Sequence, residues 1–347
     1  MTSWKVLSVT PAGRRKYLEV LVPYLLANRQ HINEHHFWLN TRDQADISYI
    51  NQLAEQHPNF FKVTSREVFD QQAPGHCIWQ YWQDCVDEDT IYIRLDDDIC
   101  FVAKDAIPKL IAFRLNNPDP FLVYGNVVNN ALCSHVHQSI GVIPRSWGTV
   151  QFECMDRVGW LKSRFPARVH KLFIKDLPAG AAGRWLFGPT TLSDYRRFSI
   201  NVVCWFGKDL AQIDELQVQD LRTLHLRHPD TGEDLGHEEA FISQYLPARF
   251  GRPCTICGDA LFSHFAFHTQ RHFLERHTNL LDWYAALALG QLDSMTALKL
   301  RVMAPFRSLS LLWSLWFWVS LRRKAHRLLS TSLSPFQRFK WLYRRPT

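Results

Sequence analysis

Three consecutive carboxylates, Asp96, Asp97 and Asp98, close an apolar stretch that begins at Thr90. Ile91, Ile93 and Leu95 alternate with Tyr92 and Arg94, which is the period of a β-strand. Carboxylates at the end of a buried strand need a cationic partner, because a charge taken out of water is costly unless it is paired. Asp96 and Asp98 are separated by one residue, so in an extended chain they point the same way. Two oxygen donors on one side suit a hard divalent cation such as Mg2+ or Mn2+. The competing reading is a solvated acidic turn, and only the rest of the chain can decide between the two.

Other polar groups recur in comparable places. Trp4 to Val9 reads as a short strand that leads into Thr10-Pro11-Ala12-Gly13-Arg14-Arg15-Lys16, a basic loop and helix start. Such a loop after the first strand of an α/β unit suits a phosphate. Cations at a helix start oppose the helix dipole, and a bound anion would relieve that conflict. Asn40 and Arg42 fall where a second strand, His36 to Leu39, meets its helix, with Thr41 and Gln44 spaced as a capping box. Phe60 to Val63 and Phe121 to Tyr124 read as further strands. Cys77 to Val86 reads as a helix with Ile78, Tyr81, Trp82 and Cys85 inward, and Pro108 opens another helix. Strand and helix alternate to about residue 125, which predicts an open, mostly parallel sheet with helices on both faces. Ligands of such sheets bind at the carboxyl ends of the strands, where all three polar stretches fall.

Gly125 to Arg197 has only broken periodicity and reads as functional loops or a lid. Phe198 to Phe206 returns to a strand, and Trp205 near its end suits either a sugar platform or the core. Gly236 opens a helix whose first turn holds Glu238 and Glu239, an arrangement the helix dipole alone would favour. Cys254 to Phe262 is strand-like, His264 follows it, and a helix runs from Arg271 to about Leu289. Cys254 and Cys257 with His264 and His268 do not have zinc-finger spacing.

The chain of 347 residues can bury a large core, and 46% hydrophobic with 21% charged residues excludes a disordered protein. A net charge of +7 favours an anionic partner, but no nucleic-acid motif is present. Eight scattered cysteines and the lack of a signal-like N-terminus point to a reducing, cytosolic compartment.

The order of these features resembles nucleotide-sugar-dependent glycosyltransferases of the GT-A fold, of the family-2-like kind. The resemblance rests on the Thr10 loop, on Asp96-Asp97-Asp98 as a DxD motif, on Glu238-Glu239 as the later acidic motif, and on His264 with Gln270-Arg271 beyond it. It implies an α/β fold, a GT-A open mixed sheet with helices on both faces, over residues 1–290. Residues 1–125 would form the nucleotide half and 126–290 the acceptor and metal half. It implies Mn2+ or Mg2+ held by Asp96, Asp98 and His264. Thr10, Arg14, Asn40, Arg42, Asp96, Asp97 and Arg271 would contact the nucleotide-sugar donor, with UDP or GDP favoured. Glu239 by preference, or Glu238, would be the base of an inverting transfer to a glycan or lipid-linked acceptor. The pair is Glu-Glu where the family more often has Glu-Asp, and 131–197 matches nothing assignable. Competing readings are a phosphatase or phosphotransferase with Asp96 as nucleophile, and a non-catalytic membrane-associated binding protein.

Residues 291–347 read as a separate helical tail. Ser308 to Leu321 carries no charge, contains Trp313, Trp316 and Trp318, and is flanked by Arg307 and by Arg322-Arg323-Lys324. It is short for a membrane span and suits the lipid interface instead. Residues 307–345 are therefore expected to rest on an anionic membrane surface, at the inner face of the cytoplasmic membrane.

Overall fold

The computed structural model describes residues 4–66, 78–213 and 237–290. Nine strands form one mixed sheet: β1 Lys5–Ala12, β2 Glu34–Leu39, β3 Phe61–Thr64, β4 Thr90–Leu95, β5 Ile99–Val102, β6 Val123–Val128, β7 Thr190–Leu192, β8 Val202–Phe206 and β9 Cys254–His264. Their order is β3-β2-β1-β4-β8-β6-β9-β5, with β7 paired to β9. Every residue of β4, β6 and β8 is buried, as in a sheet covered on both faces.

Strand direction explains the site. β1 to β4 are parallel; β8 runs against β4 and against β6; β9 runs with β6. The carboxyl ends of β1, β4, β6 and β9 therefore share one edge with the amino end of β8. Gly13-Arg14, the three aspartates, Asn129-Asn130, His264 and Asn201 all arrive there. The expected α/β class holds, and the first four strands are parallel as their alternation with helices requires. The antiparallel members are β5, which follows β4 directly in the first half and pairs with β9, and β7 and β8 from the second half.

Among the described residues, six α-helices come before β8: α1 Arg15–Ala27, α2 Gln44–Gln56, α3 Trp79–Trp82, α4 Ala106–Asn116, α5 Ala131–Ser139 and α6 Arg164–Asp176. Several expectations need correction. The helix expected from Cys77 has only the turn α3, although Ile78, Tyr81, Trp82 and Cys85 are buried as expected. α2 is capped by Asp43, which accepts from the amides of Ala45 and Asp46; Thr41 instead donates to Asp46. The helix expected from Arg271 to Leu289 is two helices, His268–His277 and Leu280–Leu289. The segment read as loops contains α5, α6 and a π-helical turn, Arg157–Leu161.

α6 escaped its own periodicity because its inner face is part polar. His170 and Asp176 are buried beside Phe165, Val169 and Phe173. Both polar groups are satisfied: Tyr284 shares a hydrogen bond of 2.8 Å with His170 Nδ1, His170 Nε2 donates to the Phe265 carbonyl at 2.9 Å, and Trp185 donates to Asp176 at 2.8 Å. Trp205 belongs to the core, fully buried between Trp82 and Tyr92, so it is not a sugar platform. Cys254 and Cys257 are buried in β9. Residues 291–347, which carry the membrane expectation, lie outside the described residues. Among those described, no helix is long and apolar enough to cross a membrane.

Burial has a consequence for acid stability. It pushes His137 down to about 3 and His170 down to about 4, so both are neutral in the folded chain. An unfolded imidazole takes up its proton near pH 6.5. Each therefore contributes stability that is fully present above that value and is lost as pH falls toward the folded value. The slope is about 1.4 kcal/mol per pH unit for each group. Urea unfolding is expected to show stability falling between pH 6.5 and 5, more gently in His137→Gln. A flat profile over that range would contradict the neutral buried pair.

Candidate metal centre

The three aspartates form a turn, not an extended strand end. Asp96 donates its amide to the Asn201 carbonyl at 2.9 Å and accepts from the Ile99 amide at 3.1 Å. The turn sends the chain from β4 into β5, which pairs with β9 so that Ile99 faces His264. Asp96 and Asp98 thus converge through the turn and not through strand alternation. One ligand atom each of Asp96, Asp98 and His264 lies within 4.8 Å of the others.

His264 shows why this set fits a cation. Its Nδ1–H donates to the Asn129 carbonyl at 3.4 Å, which leaves Nε2 facing Asp98 Oδ1 at 3.2 Å. A bare imidazole nitrogen and a carboxylate oxygen do not attract each other, so a proton or a metal ion must lie between them. Burial opposes a charged His264, but Asp98, Asp96 and the Asn129 carbonyl together outweigh it and raise the imidazole. Burial likewise pushes Asp98 up, yet Arg14, His264 and Arg271 together hold its carboxyl well below the usual range. Two carboxylates and an imidazole fixed through its other nitrogen are a suitable donor set for Mn2+ or Mg2+.

The expected nucleotide contacts separate in space. Arg14 reaches Asp98 Oδ2 at 3.0 Å, and Arg271 reaches the same oxygen at 3.8 Å. Asp97 is occupied within the protein: Arg14 Nε meets both its oxygens, at 3.1 and 3.0 Å, and the Gly13 amide donates to it at 3.3 Å. It anchors the loop after β1. Arg15 and Lys16 turn elsewhere, to Glu19 and Glu275, so the dipole conflict at α1 is relieved by the chain's own acids. Thr10 lies inside β1, fully buried, because the strand runs on to Ala12. Asn40 follows β2 against Gly13, where a Cβ would meet the Asn40 carbonyl at 2.4 Å. Arg42 is exposed beyond it.

The glutamates stand on the other side of Asp96. Arg94 donates to Asp96 Oδ1 at 3.0 Å and to Glu238 Oε1 at 2.8 Å, and Trp82 donates to the same Glu238 oxygen at 2.8 Å. Glu239 pairs with Arg197 at 2.6 Å and accepts from Cys154 at 3.4 Å. Burial pushes the Glu238 carboxyl up, against the pull of Arg94.

Sequence reading missed Arg94, Asn201, Arg197, Trp82 and Asn129. Only Arg94 left a signal, a cation inside a buried strand. Asn129 sits at φ 64°, and its side-chain amide donates to Phe265 O and Gln270 Oε1, both at 3.1 Å. Its backbone presents the carbonyl that holds His264. Asn129→Val is expected to cost about 2–4 kcal/mol, since a β-branched residue resists this conformation and two hydrogen bonds are lost. Asn129→Gly should cost less; equal denaturation midpoints for the two variants would refute the conformational part.

No protein-family model and no curated protein matches the sequence. Among solved structures, the chain is similar to 4-diphosphocytidyl-2C-methyl-D-erythritol synthase at 13% identity, covering 36% of this chain and 59% of that one, with a TM-score of 0.28. It therefore spans less than two thirds of that relative. Residues 1–349 of S. aureus TarS align at 13% identity over 86% of this chain and 70% of that one, with a TM-score of 0.37. CMP:2-keto-3-deoxy-manno-octonic acid synthetase in complex with CTP aligns at 12% identity over 84% and 100%, with a TM-score of 0.40. Similarity at this level leaves function to the side chains.

Proposed function

We propose that the protein is a metal-dependent glycosyltransferase of GT-A architecture that moves a sugar, with inversion, from a nucleotide-sugar donor to a glycan or lipid-linked acceptor. The observation that carries this reading is the Asp96, Asp98 and His264 donor set beside Arg14 and Arg271, with a glutamate one guanidinium away. A divalent cation bound there would supply Lewis-acid stabilisation of a diphosphate leaving group. Arg14 and Arg271 would take a share of the charge that develops on its oxygens. A glutamate would remove the proton from the acceptor hydroxyl. Sequence order favoured Glu239 for that role. The geometry favours Glu238, which is tied to Asp96 through Arg94 and whose donors among the described residues both converge on Oε1, leaving Oε2 for the hydroxyl. UDP or GDP is the preferred nucleotide. The tail, 307–345, would hold the enzyme against an anionic membrane; equal sedimentation with anionic vesicles by the full chain and one ending before Arg307 would refute that part.

The phosphotransferase alternative is less suited to the site. Its nucleophile, Asp96, has one oxygen held by Arg94 and the other by Asn201 at 3.0 Å. One screen separates the readings. UDP-, GDP-, dTDP- and CMP-sugars are each tested for Mn2+-dependent thermal stabilisation of the full chain. At least one is expected to stabilise only when metal is present. No response to any of them would overturn the transferase.

A further inference from the structure

Arg94 is an unusual residue for the middle of a sheet. It lies in β4 between β1 and β8, and only 5% of its side chain is exposed. Its guanidinium is divided between two carboxylates from distant parts of the chain, Asp96 through Nη2 and Glu238 through Nη1. The Trp82 ring stacks against it, centroid 5.4 Å away, and the Trp82 indole donates to the same Glu238 oxygen. A buried arginine of this kind is poor evidence for stability, because desolvation consumes most of what the ion pairs return. Fixed geometry between the carboxylates is the more direct consequence: a rigid fork sets both their spacing and their orientation.

We propose that Arg94 is a positioning residue that couples the two halves of the reaction, holding the Glu238 carboxylate toward the acceptor while anchoring Asp96 on the donor side. This rests on the transferase reading above and on Glu238 as its base. Arg94 touches no substrate. It acts by keeping Glu238 ionised and aimed, and its removal disturbs acceptor activation more than donor binding. Among the described residues, the charged and polar groups that face Glu238 are Arg94 from β4, Trp82 from α3, Asp96 from the turn and Glu239 from its own helix. Arg94 is the cation among them, opposed by two carboxylates. Its loss moves the Glu238 proton affinity upward, and the acid limb of turnover moves to higher pH.

The test compares wild type, Arg94→Lys, Arg94→Gln, Glu238→Gln and the Arg94→Gln/Glu238→Gln double variant in the full chain. UDP with Mn2+ is titrated calorimetrically, and kcat is followed from pH 5 to 9 with the donor that the screen identifies. Expected for Arg94→Gln are UDP affinity within about threefold of wild type, kcat lower by about 10²-fold and an acid limb about one unit higher. Arg94→Lys should recover part of the rate. In the double variant the two losses should not multiply, because Arg94 acts through Glu238. Multiplying losses, or an unmoved acid limb in Arg94→Gln, overturns the proposal. So does an acid limb that survives in Glu238→Gln, a result that stands even if the Arg94 variants fail to fold. Wild type that binds no UDP and transfers no sugar fails the transferase reading instead, which separates the two outcomes.

Discussion

Asp98→Asn is expected to lower turnover by about 10²–10³-fold and to abolish Mn2+-dependent stabilisation by the nucleotide. Asp98 is the residue on which the site converges. It is 2% exposed, and its carboxylate meets Arg14 at 3.0 Å, His264 at 3.2 Å and Arg271 at 3.8 Å. The amide retains the shape but not the charge, so the three cationic groups lose their common counterion. Arg14 keeps Asp97, and His264 can release its proton, so the stability cost should stay at or below about 3 kcal/mol. The loss of metal response and the loss of stability are separable. EDTA should lower the melting temperature of metal-loaded wild type and leave Asp98→Asn unchanged. A variant that still responds to Mn2+ and EDTA as wild type does would remove Asp98 from the ligand set. Asp97→Asn gives the contrast, since Asp97 is bound to Arg14 and the Gly13 amide. It should disturb the β1 loop and weaken the nucleotide while leaving binding of metal alone largely intact.

Much of this centre could be read before any coordinates, and the reason is local. Asp96-Asp97-Asp98 ends a strand whose alternation is legible from Ile91 to Leu95, and strand–helix alternation puts such an end at the ligand edge of a sheet. His264 follows the strand-like run Cys254 to Phe262, and its metal role comes from the family resemblance. What escaped were groups that reach the edge through long-range pairing. Asn201 enters at the amino end of β8, and only the antiparallel β4–β8 register makes that end coincide with the carboxyl end of β4. Asn129 matters through its backbone carbonyl and a positive φ, neither of which its residue type reveals. α6 was hidden because His170 and Asp176 occupy inward positions that periodicity reserves for apolar side chains. Partners within the motif are not visible in spacing either. The resemblance assigns Asp97 to the nucleotide, and in the structure its carboxylate is paired with Arg14; the basic start of α1 reads as short of an anion, and Glu19, Glu275 and Asp97 supply one from within the chain.

Glu238→Gln should reduce kcat by about 10²–10⁴-fold with donor affinity retained, and Glu239→Gln should cost much less. Both residues lie in the first turn of His237–Ala240, where the helix dipole alone would explain an acid, so position cannot choose between them. Their partners can. A base at neutral pH needs a proton affinity above that of a solvated carboxylate and an oxygen free to meet a hydroxyl. Burial supplies the first for Glu238, overcoming Arg94. Convergence of Arg94 and Trp82 on Oε1, with no other donor to Glu238 among the described residues, supplies the second. Glu239 instead joins Arg197 to Cys154 and, through its carbonyl, to Ser243, contacts that brace the segment before β8. The isosteric amide keeps these hydrogen bonds in outline and removes only basicity, so the comparison is clean. The pH profile carries a second reading: the acid limb should vanish in Glu238→Gln and persist in Glu239→Gln. If Glu239→Gln loses both rate and limb while Glu238→Gln keeps them, the base is Glu239, and Arg197 takes the positioning role assigned here to Arg94.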